Sequence, residues 1–145
     1  MILYLDTSAL FKLYVDEAGS DAVHAAVAAA ESVAVCRIAW AEAMSALARR
    51  GREAPADQEA LEQARQALRN DWPSFLVLEV SQQVVEQAGE YADTFALRGY
   101  DRVQLAGAQR MLQRVQQPAT FACFDKRLFE AAKLLGLAVL GEVLE

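Results

Sequence analysis

The sequence predicts an α/β fold: a three-layer α/β/α sandwich around a mostly parallel central sheet of about five strands. Two observations carry this. Short apolar runs without polar alternation recur along the chain, as in strands buried on both faces. Between them lie longer stretches with apolar residues three or four apart, the spacing of one helix face. Strands alternating with such helices imply parallel pairing and helices on both sides of the sheet.

Residues 2–5 form the first apolar run and end at Asp6. A short helix over 8–15 follows, broken by Glu17-Ala18-Gly19, and an alanine-rich helix covers 21–30. Residues 33–36 are the second strand. The helix over 39–50 carries Trp40, Met44 and Leu47 on one stripe, and Gly51 is expected to stop it. Leu61, Ala64 and Leu68 mark the inner face of a helix over 57–69. A third strand over 75–80 follows Trp72-Pro73. Ser81 caps a helix carrying Val84, Ala88, Ala92 and Phe95 and ending at Gly99. Asp101 opens the next helix, with Leu105, Ala108 and Leu112. The fourth strand, 121–124, ends at Asp125, which opens a helix with Phe129, Ala132 and Leu135. Gly136 leads into the fifth strand, 137–140.

The 145 residues fit a single domain, 1–145, with no repeat or linker. Apolar residues make up 54% and charged ones 23%, which excludes a disordered chain. Cys36 and Cys123 lie in apolar runs and read as buried thiols of a reducing compartment. With His24 the only histidine, a zinc site is disfavoured. No run approaches the ~20 apolar residues of a membrane span, and the first residues lack the pattern of a signal peptide, so the expected location is the cytoplasm. The net charge of −6 argues against a general nucleic-acid binder. It leaves room for a nuclease whose acids hold metal and whose basic residues line the rim.

Asp6 and Asp125 each follow a strand run directly, so both belong at the carboxyl edge of the sheet, where open α/β folds bind ligands. Glu42 and Asp101 sit at the starts of helices. Each acid also has a simple structural role, as a helix cap or as a carboxylate favoured by the positive end of a helix. Four carboxylates at one edge repel one another unless a cation is present. Oxygen donors without histidine or cysteine suit Mg²⁺ or Mn²⁺. Such ions polarise phosphate oxygens and acidify bound water, which points to phosphoryl transfer or phosphodiester hydrolysis.

The segment Asp6-Thr7-Ser8-Ala9-Leu10-Phe11-Lys12-Leu13-Tyr14 resembles the opening motif of PIN domains, in particular the VapC-type toxins of bacterial toxin–antitoxin pairs. Ile38-Ala39-Trp40-Ala41-Glu42-Ala43 is similar to the second motif. Leu97-Arg98-Gly99-Tyr100-Asp101 with Leu105-Ala106 is similar to the third, and residues 120–128, centred on Phe124-Asp125-Lys126, to the fourth. The ordered set spans nearly the whole chain. Departures are Cys36-Arg37 before the second motif, Gln104 where the third often has histidine, and Cys123 where threonine is frequent.

The resemblance implies a metal-dependent endoribonuclease. Asp6, Glu42 and Asp101 are then metal ligands, directly or through water, and Asp125 is the fourth acid. Thr7 and Ser8 support them through their hydroxyls, or cap the helix. RNA is hydrolysed by a metal-activated water, leaving a 5′-phosphate. A cognate antitoxin and a homodimer are the implied partners.

Lys12, Arg37, Arg98 and Arg102 lie near the acids in sequence and are candidates for steering the phosphate backbone, with solvated surface charge as the alternative. Lys126 and Arg127 start the last helix, where positive charge is mildly unfavourable, a hint of substrate contact. Arg49, Arg50 and Arg52 with the 57–69 helix are a candidate clamp, and Trp40, Trp72 and Tyr91 candidate anchors or core. Two rivals remain. A non-catalytic PIN-like module would bind RNA or a partner without cutting. A receiver-type signalling domain would need an acid after the third strand, where Ser81-Gln82-Gln83 stand.

Overall fold

The computed structural model describes residues 1–141. Five parallel strands form the central sheet: β1 (Ile2–Leu5), β2 (Ser32–Cys36), β3 (Leu76–Leu78), β4 (Ala119–Ala122) and β5 (Ala138–Leu140). Their spatial order is β3-β2-β1-β4-β5, and all four pairings are parallel. The helices are α1 (Thr7–Tyr14), α2 (Ser20–Ala29), α3 (Ala39–Glu53), α4 (Gln58–Asp71), α5 (Gln82–Glu90), α6 (Gly99–Arg114) and α7 (Lys126–Leu134).

Side chains alternate across the pleat, so each strand feeds two cores. Ile2 and Tyr4 of β1, Ala34 and Cys36 of β2, and Phe121 of β4 face α5, α6 and α7. Leu3 and Leu5 of β1 and Val35 of β2 face α1, α2, α3 and α4. All four residues of β1 are buried, which explains their apolar run without alternation. Among the described residues, no helix is long and apolar enough to cross a membrane.

Several element ends differ from expectation. Gly51 does not stop α3, which continues to Glu53. A Cβ at Gly51 would lie 2.7 Å from Nε2 of Gln58, whose amide donates to the Gly51 carbonyl at 2.9 Å. The missing side chain serves this close approach. Gly99 does not end α5 but begins α6, and α5 stops at Glu90. The four-residue spacing through Phe95 is preserved by a turn: Phe95 N donates to Tyr91 O at 2.9 Å, and the two rings meet edge-on at 5.6 Å. The third strand is only three residues long because β3 is an edge strand, with Leu76 48% exposed. The fourth pairs over Ala119–Ala122, two residues earlier than expected.

Candidate active site

The central strand β1 pairs with β2 on one side and β4 on the other, so chain order reverses across the β1/β4 seam. The carboxyl edge at such a seam is where doubly wound sheets form clefts. Asp6 follows the last residue of β1, and its backbone N–H donates to Ala122 O at 3.1 Å, which ties it to the end of β4.

Asp6 caps α1 and is buried, 3% exposed. Its Oδ1 accepts from the Ala9 N–H at 2.8 Å, and the Ser8 hydroxyl donates to both carboxylate oxygens, at 2.7 and 2.9 Å. Ser8 Oγ also accepts from the Phe124 N–H at 3.0 Å, tying β4's exit to the same point. Burial raises the Asp6 pKa to about 6, against the hydrogen bonds from Ala9, Ser8 and Cys123; the charge of Asp101 pushes the same way as burial.

Glu42 stands in the first turn of α3 and is half-buried. Its Oε1 accepts from the Thr7 hydroxyl at 2.7 Å and from the Gln104 amide at 3.1 Å. Asp101 is the third residue of α6, in its first turn. It is not the cap, because the flanking position is Arg98, which makes no side-chain cap bond. The simple capping role thus holds for Asp6 and Asp125 but not for Asp101. Burial raises the Asp101 pKa, the charges of Asp125 and Glu42 add to this, and Arg98 opposes it. Asp125 caps α7 through the Leu128 N–H at 3.0 Å and is exposed. The four acids therefore share one electrostatic neighbourhood, Asp101 coupled to each of the other three. Among the described residues, none of the ion pairs includes Asp6, Glu42 or Asp101.

The basic candidates divide. Lys12 is buried, ion-paired with Glu17 at 2.5 Å, and lies 4.9 Å from the Phe124 ring centre. Arg37 is exposed and ion-paired with Glu79. Arg98, Lys126 and Arg127 are exposed beside Asp101 and Asp125. Arg102 is half-buried, and its Nε is buried with no hydrogen-bond partner among the described residues. A cleft of about 500 Å³ opens against Thr7, Ser8 and Asp125, with Lys12, Arg49 and Arg50 on its walls. Trp40 and Trp72 pack edge-on at 5.2 Å against the core on the α1 side of the sheet, and Tyr91 is buried in the core opposite.

Gln104 was legible only as a departure from a motif, yet it is buried, 2% exposed, and hydrogen-bonded into the acid group. The available signal was its position three residues after Asp101, beside Leu105 on the inner stripe of α6.

The PIN-domain family model matches residues 3–134. Ribonuclease VapC46 of Mycobacterium tuberculosis is 35% identical over 139 residues, 96% of each chain. Among solved structures, a toxin–antitoxin complex from Klebsiella pneumoniae superposes with a TM-score of 0.67 at 22% identity, over 99% of this chain and 98% of that one. Mycobacterium tuberculosis VapC20, a Sarcin-Ricin loop cleaving toxin, gives 0.66 at 20% identity, over 89% of this chain and 94% of that one. A family match over nearly the whole parallel sheet, with acids at its carboxyl edge, leaves one assignment: the chain belongs to the PIN-domain family.

Proposed function

We propose that this chain is a divalent-cation-dependent endoribonuclease, acting as the toxin of a toxin–antitoxin pair. The observation that carries the reading is the gathering of Asp6, Glu42, Asp101 and Asp125 at one sheet edge with no ion pair to the first three among the described residues. The 35% identical relative is named a ribonuclease, which supports the activity.

The donor set suits Mg²⁺ or Mn²⁺: the candidate ligands are carboxylate and hydroxyl oxygens, and the buried Asp6 has no ion-pair partner among the described residues. Among the described residues, no group of three or more acids, cysteines or histidines stands close enough to hold a metal ion by side chains alone. Mg²⁺ typically takes only one or two carboxylates directly and keeps several waters. Asp6, Glu42 and Asp101 would hold the ion, with Asp125 beside them. When bound, it supplies charge for a phosphate oxygen and acidifies water.

The chain's own groups do the rest. Ser8 and the Ala9 amide fix Asp6, and Thr7 fixes Glu42. Arg98, Lys126 and Arg127 draw the RNA backbone to the acid edge, and Arg49 extends that track along the cleft. Lys12 and Arg37, matched by Glu17 and Glu79, are assigned no phosphate. The working form is a cytoplasmic homodimer, held inactive by a small antitoxin protein; two free buried thiols are consistent with a reducing compartment.

The test is incubation of the purified chain with total cellular RNA in Mg²⁺ or Mn²⁺, with EDTA and Asp101→Asn as controls. Discrete fragments that vanish in both controls are expected. Equal cutting by wild type and Asp101→Asn would show contamination, and no cutting in either metal would overturn the reading.

A further inference from the structure

The two oxygens of Glu42 are treated unequally. Oε1 receives the Thr7 hydroxyl at 2.7 Å and the Gln104 amide at 3.1 Å, whereas Oε2 accepts no hydrogen bond among the described residues. Gln104 is hydrogen-bonded at both ends of its amide. Nε2 donates to Glu42 Oε1 and to Thr7 Oγ1 at 3.0 Å, while its Oε1 accepts from the Tyr4 hydroxyl at 3.1 Å. Tyr4 is buried in the central strand, 1% exposed, and its hydroxyl donates to the amide oxygen. With its oxygen taken by that O–H, the amide turns its nitrogen to Thr7 and Glu42. The reversed amide would set its oxygen against a carboxylate.

Gly107 leaves room for this approach. A Cβ there would lie 3.1 Å from the Tyr4 hydroxyl, tighter than ordinary packing, so a side chain at 107 would require the hydroxyl to shift by a few tenths of an ångström. The groups joined this way come from β1, α1, α3 and α6, up to 100 residues apart.

We propose that Gln104 is the positioning residue of the acid site: oriented by Tyr4, it holds Glu42 through Oε1, so that Glu42 meets the cation or its water through Oε2 alone. The inference rests on the nuclease reading for its consequence but not for its test. Buried partners that orient a ligand are generally worth ten- to a hundredfold in metal affinity.

The experiment is Mn²⁺ binding, followed by calorimetry and by the electron paramagnetic resonance of the free ion, alongside RNA cleavage and thermal melting. Gln104→Met keeps the size and removes the hydrogen bonds; it is expected to weaken Mn²⁺ binding by about ten- to a hundredfold. Gln104→His restores one N–H donor and one acceptor and is expected to recover most of the affinity. Tyr4→Phe removes the orienting hydroxyl and is expected to cost a few-fold, and it keeps the test open if Gln104→Met does not fold. Folded Gln104→Met with wild-type Mn²⁺ affinity would overturn the proposal, as would Gln104→His no better than Gln104→Met. A wild type that binds Mn²⁺ without cutting RNA would sink the nuclease reading and leave the positioning role standing.

Discussion

Asp6→Asn is expected to abolish RNA cleavage and, at the same time, to raise the melting temperature of the ion-free protein. The carboxyl is 3% exposed, and its folded pKa is raised from 3.8 to about 6. Between these values the folded state holds a proton that the unfolded state has released. Stability from this group therefore falls as pH rises from about 4 to about 6, and stays low above that. At pH 7 the folded chain carries an ionised buried carboxylate at a cost on the order of 2–3 kcal/mol. Asparagine keeps the oxygen that accepts from Ala9 N and loses the charge. The gain corresponds to a rise of roughly 5–10 °C in a domain of this size. Cleavage needs the charge and should fall at least about a hundredfold. A variant that melts lower than wild type at pH 7, with the same ion-free buffer, would contradict the electrostatic account. Function held at a cost in stability is common at active sites.

The second large effect concerns the ion. Mn²⁺ at a hundred times its dissociation constant should stabilise the wild type by about 2.7 kcal/mol, a shift on the order of 10 °C. The shift should shrink as pH is lowered through 6, because the ion must displace the proton on Asp6, and affinity then drops about tenfold per pH unit. In Asp6→Asn the Mn²⁺ shift should be nearly absent at every pH. A shift that is equal in wild type and variant, or indifferent to pH between 5 and 7, would place the ion elsewhere.

What the sequence made legible was local. The buried strands announced themselves because a residue such as Leu3 or Val35 has no solvent face to mark with a polar neighbour. Asp6 and Asp125 were readable because the end of a parallel strand fixes the sheet edge on which its next residues fall. Glu42 followed from its place in the first turn of α3, and the ordered motifs tied all four acids to one family. The helix end at Gly99 was misread because a folded turn places Phe95 on Tyr91 with the spacing of a helix. Gly51 was misread because a glycine that makes room for Gln58 looks the same in sequence as one that ends a helix. The Tyr4–Gln104–Glu42 connection was not legible, since only the parallel register of β1 and the closeness of α6 bring residues 4, 42 and 104 together. The pairing of Lys12 and Arg37 with acids has the same origin in part: Glu17 is near Lys12 in sequence, but Glu79 reaches Arg37 only through the β2–β3 pairing.

The most direct test of the account is anomalous diffraction from crystals of the wild-type chain grown or soaked in Mn²⁺. The account predicts a peak bounded by Asp6, Glu42 and Asp101, with Glu42 reaching it through one oxygen while Thr7 and Gln104 keep the other. No peak at the carboxyl edge of β1 in crystals saturated with Mn²⁺, or a peak held only by residues elsewhere on the surface, would contradict it.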